Sequence, residues 1–313
     1  MKKLLHTLLF FFSTLTLFAQ TDSLSIEEQW NEQEEMIVSH YRKGQLKAAL
    51  AQAQETLAWT EQQLGKNHLL YAKSLNNLGQ TSNWNGENQH AIKLLLECQE
   101  RLSGIMDEQD PFYLEVRNNL GMTYKDVGQY EKALPLLKDN VEKFTALYGD
   151  TVYSVSIALN NLALLYIDMH QFEAAIPVAK RALLVTEKSV GKKHRRYSVR
   201  VAALASVYKN QGNYEQAAIL LESALPDVIE NQGKEHPAFT SVANNLVNVY
   251  RELGRYTEAQ QLMDEVLENA EKVYGKDHRT YSINLSSLSD LKQVTGDFAG
   301  ALTAIEQSSA IDL

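Results

Sequence analysis

Apolar residues return at one fixed interval along this chain. Leu78, Leu120, Leu162, Leu204, Leu246 and Leu288 stand 42 residues apart, and in the middle of the chain each is followed four residues later by Tyr124, Tyr166, Tyr208 or Tyr250. An apolar pair at i and i+4 marks one face of a helix. A second column, Ala49, Ala91, Ala133, Ala175, Ala217, Ala259 and Ala301, keeps the same period without exception, as expected where only a small side chain fits. Three residues before it, Tyr130, Phe172, Tyr214, Tyr256 and Phe298 supply a large anchor, with Leu46 and Asn88 in the first two units.

Between the Leu and Ala columns runs a glycine ladder at 44, 86, 128, 212, 254 and 296, whose one missing rung is His170. Glycine adopts the left-handed backbone that ends one helix and turns the chain into the next. His170 is expected to adopt the same turn at some cost. The segments Gly65-Lys66-Asn67-His68, Gly149-Asp150 and Gly275-Lys276-Asp277-His278 close one helix and start another, and Asp110-Pro111 and His236-Pro237 have the form of helix starts. Each unit thus reads helix, short turn, helix, loop, with units starting near 23, 65, 107, 149, 191, 233 and 275. One such hairpin cannot bury its apolar face, whereas stacked neighbours share a core. The fold class predicted is all-α, an alpha-alpha superhelix of about seven helix-turn-helix repeats over residues 20–313.

Asn118-Asn119-Leu120-Gly121-Met122-Thr123-Tyr124, followed by Gly128-Gln129-Tyr130-Glu131-Lys132-Ala133-Leu134, resembles the tetratricopeptide repeat in the 42-residue form of kinesin light chains. Asn160-Asn161-Leu162-Ala163-Leu164-Leu165-Tyr166 and Gly191-Lys192-Lys193-His194 match the same pattern, so the resemblance covers nearly all of the chain beyond its first residues. It implies that the first helix of each unit lines a concave surface on which partner proteins lie. Carried over by position, the first Asn of each pair, Asn76, Asn118, Asn160 and Asn244, faces that groove, where an amide can grip the main chain of an extended peptide. The alternative is that these amides bridge neighbouring helices, as the second Asn of each pair is expected to do. Four and seven residues on lie Met122 and Lys125, Leu164 and Ile167, Ser206 and Lys209, Asn248 and Arg251. Ile157, Leu164 and Ile167 make the fourth unit apolar, and the cations beside it suggest a partner segment with an apolar anchor and neighbouring acids. Equally, the apolar groups can pack against adjacent helices and the cations can be solvated; full burial of the three would end the anchor idea.

Composition narrows the function classes. The formal charge of -9 opposes binding to a phosphate backbone, so nucleic acid is not expected as a partner. Lys2 and Lys3 precede a mostly apolar stretch over residues 4–18, and Ala19 offers a small residue before a cut. Residues 1–19 therefore read as a secretory signal, since the run is broken by His6, Ser13, Thr14 and Thr16 and falls short of the ~20 apolar residues of a span. No membrane span is expected after its removal, and the product would be periplasmic or secreted, with its charge taken from -9 to -11 by loss of the two lysines.

Cys98 is the sole cysteine and falls in a column of small residues, so it reads as packing. His68, His194, His236 and His278 recur one unit apart, too far from one another for a shared zinc, and read as structural. With no phosphate loop, zinc motif or nucleophile motif, neither a cofactor nor a catalytic residue is expected. Lys192, Lys193, Arg195, Arg196 and Arg200 cluster in one loop, either as a solvated charged loop or as an attractor for an anionic surface or partner. The final helix, from Phe298, leaves an apolar edge that could pair two copies into a homodimer. The function expected is a non-enzymatic, exported adaptor that binds another protein or peptide segment. Exported bacterial arrays of this kind also precede caspase-like (CHAT-type) peptidase domains, so the alternatives are the target-presenting arm of such a system or a self-associating array.

Overall fold

The computed structural model describes residues 25–311. The predicted signal segment lies outside the described residues. Within them every regular element is helical: 14 α-helices, with one 3-10 turn at Gly149–Thr151. The chain divides into two compact units between Ile105 and Met106.

The first unit holds α1 (Ile26–Arg42), α2 (Leu46–Leu64), α3 (Leu69–Trp84) and α4 (Asn88–Ser103). The second holds α5 (Pro111–Asp126), α6 (Tyr130–Tyr148), α7 (Tyr153–Asp168), α8 (Phe172–Val190), α9 (Arg195–Asn210), α10 (Tyr214–Gln232), α11 (Pro237–Glu252), α12 (Tyr256–Tyr274), α13 (Arg279–Val294) and α14 (Phe298–Ile311). Each unit is a series of helical hairpins, and in the second each first helix also touches the first helix of the next hairpin. This is the predicted repeat architecture.

The turns form as the glycine ladder requires. Inside the hairpins Gly44, Gly86, Gly128, Gly212, Gly254 and Gly296 all have positive φ, and His170 takes the same conformation at φ 56°. A second ladder closes the long helices: α2, α6, α8, α10 and α12 run 19 residues each and end on Gly65, Gly149, Gly191, Gly233 and Gly275, again at positive φ. Helix α4 is shorter, 16 residues, and ends at Gly104 with φ -87°. Asp107 stands where the closing glycine would fall, and the division of the chain lies beside it.

Helix starts have a common device. His68, His194, His236 and His278 each accept, through Nδ1, the backbone N–H two residues on at 3.1 Å, and Asp110 does the same through Oδ1 at 2.8 Å. These side chains satisfy donors that a helix start leaves open. The recurring histidines are thus caps.

The Ala column is sealed, with Ala49 through Ala259 fully buried. Gly79 and Gly121 allow a still closer approach, because a Cβ there would stand 2.8 Å from the side chains of Leu95 and Leu137. The large-anchor column is looser than its size suggests. Tyr130, Phe172 and Tyr214 are half-buried, while Tyr256 and Phe298 are exposed, since their rings lie at the hairpin turn, at the margin of the core. Cys98 is buried and donates its thiol to the Ala72 carbonyl at 3.1 Å, in keeping with a packing role.

Candidate functional site

The candidate residues other than Asn76 all lie in the second unit, on α5, α7, α9 and α11. A helix presents every third and fourth residue on one face. On α7 that face carries Ile157, Asn160, Leu164 and Ile167; Ile157 is exposed at 39%, and the other three are half-buried. The stripe therefore retains accessible apolar surface, and full burial does not remove it.

Val199 on α9 extends this surface. It stands 42 residues beyond Ile157, in the same repeat column, and is exposed at 44%. Helices α7 and α9 touch, so two β-branched side chains form an open apolar row across neighbouring hairpins. The sequence signal was the column itself, which reads Glu115, Ile157, Val199, Ser241 and Ile283.

Asn76, in contrast, is 1% exposed within the first unit. A buried amide cannot grip a partner's main chain, so this residue is removed from the groove set. Asn118 and Asn244 are half-buried and engaged between helices. The Asn161 amide donates to Asn118 Oδ1 at 3.1 Å, and the Asn244 amide donates to Asn284 Oδ1 at 2.8 Å. The bridging alternative thus describes both. Asn161 bridges as the second Asn of a pair should, while Asn245 turns back onto its own helix at the Ser241 carbonyl.

The cations at the far end of the stripe have partners of their own. Lys125 Nζ contacts Asp126 at 2.8 Å and Asp168 at 3.0 Å, the latter on the next first helix. Burial lowers the Lys125 pKa, but its hydrogen bonds to Asp126 and Asp168 outweigh burial and leave it above the ordinary lysine value. Arg251 contacts Glu252 at 2.9 Å and Asp290 at 3.4 Å. Both positive charges are locally neutralised, so they are poor attractors for an acidic partner. Lys209 is half-buried, and Met122 and Asn248 are half-buried on the same face.

The basic loop is also different from its sequence. Arg200 is 6% exposed and occupies a column whose buried members also include Ser74, Val116, Ala158, Val242 and Asn284. Its Nε donates to Ser156 Oγ at 2.9 Å and its Nη2 to the Tyr153 hydroxyl at 3.1 Å. Burial holds its pKa below the usual guanidinium value. Lys192, Lys193, Arg195 and Arg196 remain exposed.

Chemically, the arrangement offers an apolar row flanked by amides on one helical face. Among the described residues no group of three or more His, Cys, Asp or Glu side chains could hold a metal ion. No described helix is long and apolar enough to cross a membrane.

Comparison with known proteins bears on the fold. Two sequence profiles, each describing a tetratricopeptide repeat, match residues 154–230 and 239–313 in one case and 114–151 in the other, together more than half of the chain. Comparison with curated protein sequences gives no match. Among solved structures, a tetratricopeptide repeat protein from Parabacteroides merdae aligns at 18% identity over 91% of this chain and 93% of its own, with a TM-score of 0.55. The apo form of RapI aligns at 12% identity over 91% and 97%, with a TM-score of 0.62. A Rap protein complexed with Competence and Sporulation Factor aligns at 14% identity over 90% and 94%, with a TM-score of 0.54.

Proposed function

Because the chain belongs to the tetratricopeptide repeat family, we propose that it is a non-catalytic adaptor whose first-helix face takes up a segment of another protein. The observation that carries this reading is the open row of Ile157 and Val199, continued on α7 by Leu164 and Ile167. These apolar groups face outward between hairpins whose own cores are already filled, so they are available to bury an apolar side chain of a partner. A protein-interaction role is the coarse expectation for a repeat array of this fold, and the Rap protein held with Competence and Sporulation Factor lends it support. The partner's apolar anchor is the finer part of the proposal. Export is a further part, resting on Lys2, Lys3 and the apolar run that follows.

The test is affinity capture from the exported fraction with wild-type protein and with an Ile157→Glu/Val199→Glu variant, folding of both being checked by circular dichroism. A protein captured by the first, lost by the second, and bound at least about tenfold more weakly by the variant once purified would support the reading. Equal capture would overturn it. Mass spectrometry of the exported chain, starting after Ala19 or intact, decides the signal.

Self-association is a second reading, favoured by Phe298, Leu302 and Ile305, which lie exposed along one face of α14. A monomeric mass at high concentration would overturn it.

A further inference from the structure

The loop before α9 carries positive charge that the rest of the molecule leaves uncompensated. Lys192 is the exception. It pairs with Glu187 at 3.5 Å, as Lys66 pairs with Glu61 and Lys276 with Glu271, both at 3.2 Å, so this lysine is a repeated feature of the loops. At the following position the other loops place Asn67, Gln109, Thr151, Glu235 and Asp277, whereas this one places Lys193. Arg195 and Arg196 then open α9, whose first turn contains no acid. A helix start favours negative charge, so two arginines there work against the fold. None of Lys193, Arg195 and Arg196 forms an ion pair among the described residues.

Neighbouring elements do not supply the missing acid. Asp150 in the preceding loop is taken by Arg181 at 2.7 Å, Glu187 on α8 by Lys192, and Glu235 in the following loop by Lys272 at 2.6 Å. Asp227 and Glu230 on α10 form no ion pair with Lys193, Arg195 or Arg196 among the described residues. Arg196 instead lies 4.1 Å from the centroid of the Tyr153 ring, with Arg200 at 5.4 Å from the same ring. Tyr153 thus orders two guanidinium groups without neutralising either. The buried Arg200, bonded only to hydroxyls, adds a charge that water screens weakly.

Arg196 is three residues before Val199, hence on the same face of α9 and one turn nearer its start. The basic group is therefore continuous with the apolar row. We propose that Lys193, Arg195 and Arg196 dock an acidic stretch of a partner polypeptide, placed beside the apolar residue that enters at Ile157 and Val199. In its placement this rests on the groove reading; in its charge it stands alone. A polypeptide is favoured over nucleic acid or a lipid surface because three cations at one helix start of a chain with net charge -9 can pair with a few carboxylates but cannot neutralise a continuous phosphate array.

The probe is a fluorescein-labelled decaglutamate peptide, titrated into the full chain. Wild type should bind it in a salt-sensitive manner, and Lys193→Glu/Arg195→Glu/Arg196→Glu should weaken binding at least about tenfold. A control with the same charge change elsewhere, Lys43→Glu/Lys47→Glu/Lys93→Glu, should bind like wild type, and circular dichroism confirms that each variant is folded. Absent binding, or equal loss in both variants, overturns the proposal. Tighter binding of duplex DNA or of phosphatidylserine vesicles than of decaglutamate overturns the choice of a polypeptide. An Ile157→Ser/Val199→Ser variant, which adds no charge beside Arg196, separates the two readings, since failure of the groove leaves the decaglutamate result at Lys193, Arg195 and Arg196 in place.

Discussion

Asn161 on α7 donates its side-chain amide to Asn118 Oδ1 on α5 across 3.1 Å, linking the first helices of successive hairpins. A half-buried hydrogen bond of this kind contributes about 0.5–1.5 kcal/mol. Asn118→Ala should lower stability by about that amount, while Asn118→Asp, which keeps an acceptor oxygen, should lose less. Thermal melts of Asn118→Ala, Asn161→Ala and the double variant give the coupling directly, and strict additivity would show that the bridge contributes nothing.

Gly121 allows α5 to lie close against α6. A Cβ at this position would stand 2.8 Å from Leu137 Cδ2 and 2.9 Å from its Cγ, and Leu137 is fully buried. Gly121→Ala should therefore destabilise by about 1–3 kcal/mol, despite the ~1 kcal/mol that alanine gains in helix propensity. Leu137→Ala in the same chain should make the second substitution less costly. Denaturant midpoints of the three variants check this.

His236 caps α11 by accepting the Ala238 N–H at Nδ1, an acceptor lost on protonation. Burial first, and the charge of Arg195 second, hold its pKa below the ordinary 6.5. A depressed folded-state value means that its contribution is present in full above the unfolded value and is lost as pH falls through the lower folded one. The melting temperature of wild type should thus fall faster than that of His236→Asn as pH drops below about 6.5. Parallel pH profiles would exclude the cap as the cause.

His170 holds the left-handed turn at φ 56°, and its ring meets Phe172 edge-on at 5.9 Å. The left-handed conformation costs a non-glycine residue roughly 1–2 kcal/mol, and the chain entropy of glycine offsets 0.5–1 kcal/mol of that relief. His170→Gly should raise stability by roughly 0.5–1 kcal/mol, read as a higher melting temperature. A lower one would mean that the contact with Phe172 outweighs the strain.

The sequence by itself determined the helices, their turns and the repeat. Each Gly rung, each cap such as His236 or Asp110, and each Leu and Ala column acts within a few residues of itself, so local spacing carries the information. It also assigned side chains to the correct helical face, since Ile157, Asn160, Leu164 and Ile167 share one. What only the tertiary structure decided is which of those side chains remain open. Asn76 and Asn160 hold the same repeat position, yet the first is buried and the second half-buried. Lys125 is neutralised by Asp168, 43 positions away, and Arg200 sits in the core while Arg196 lies outside it. A column specifies the direction in which a side chain leaves its helix. Burial and charge pairing depend on what the adjacent hairpins place opposite it.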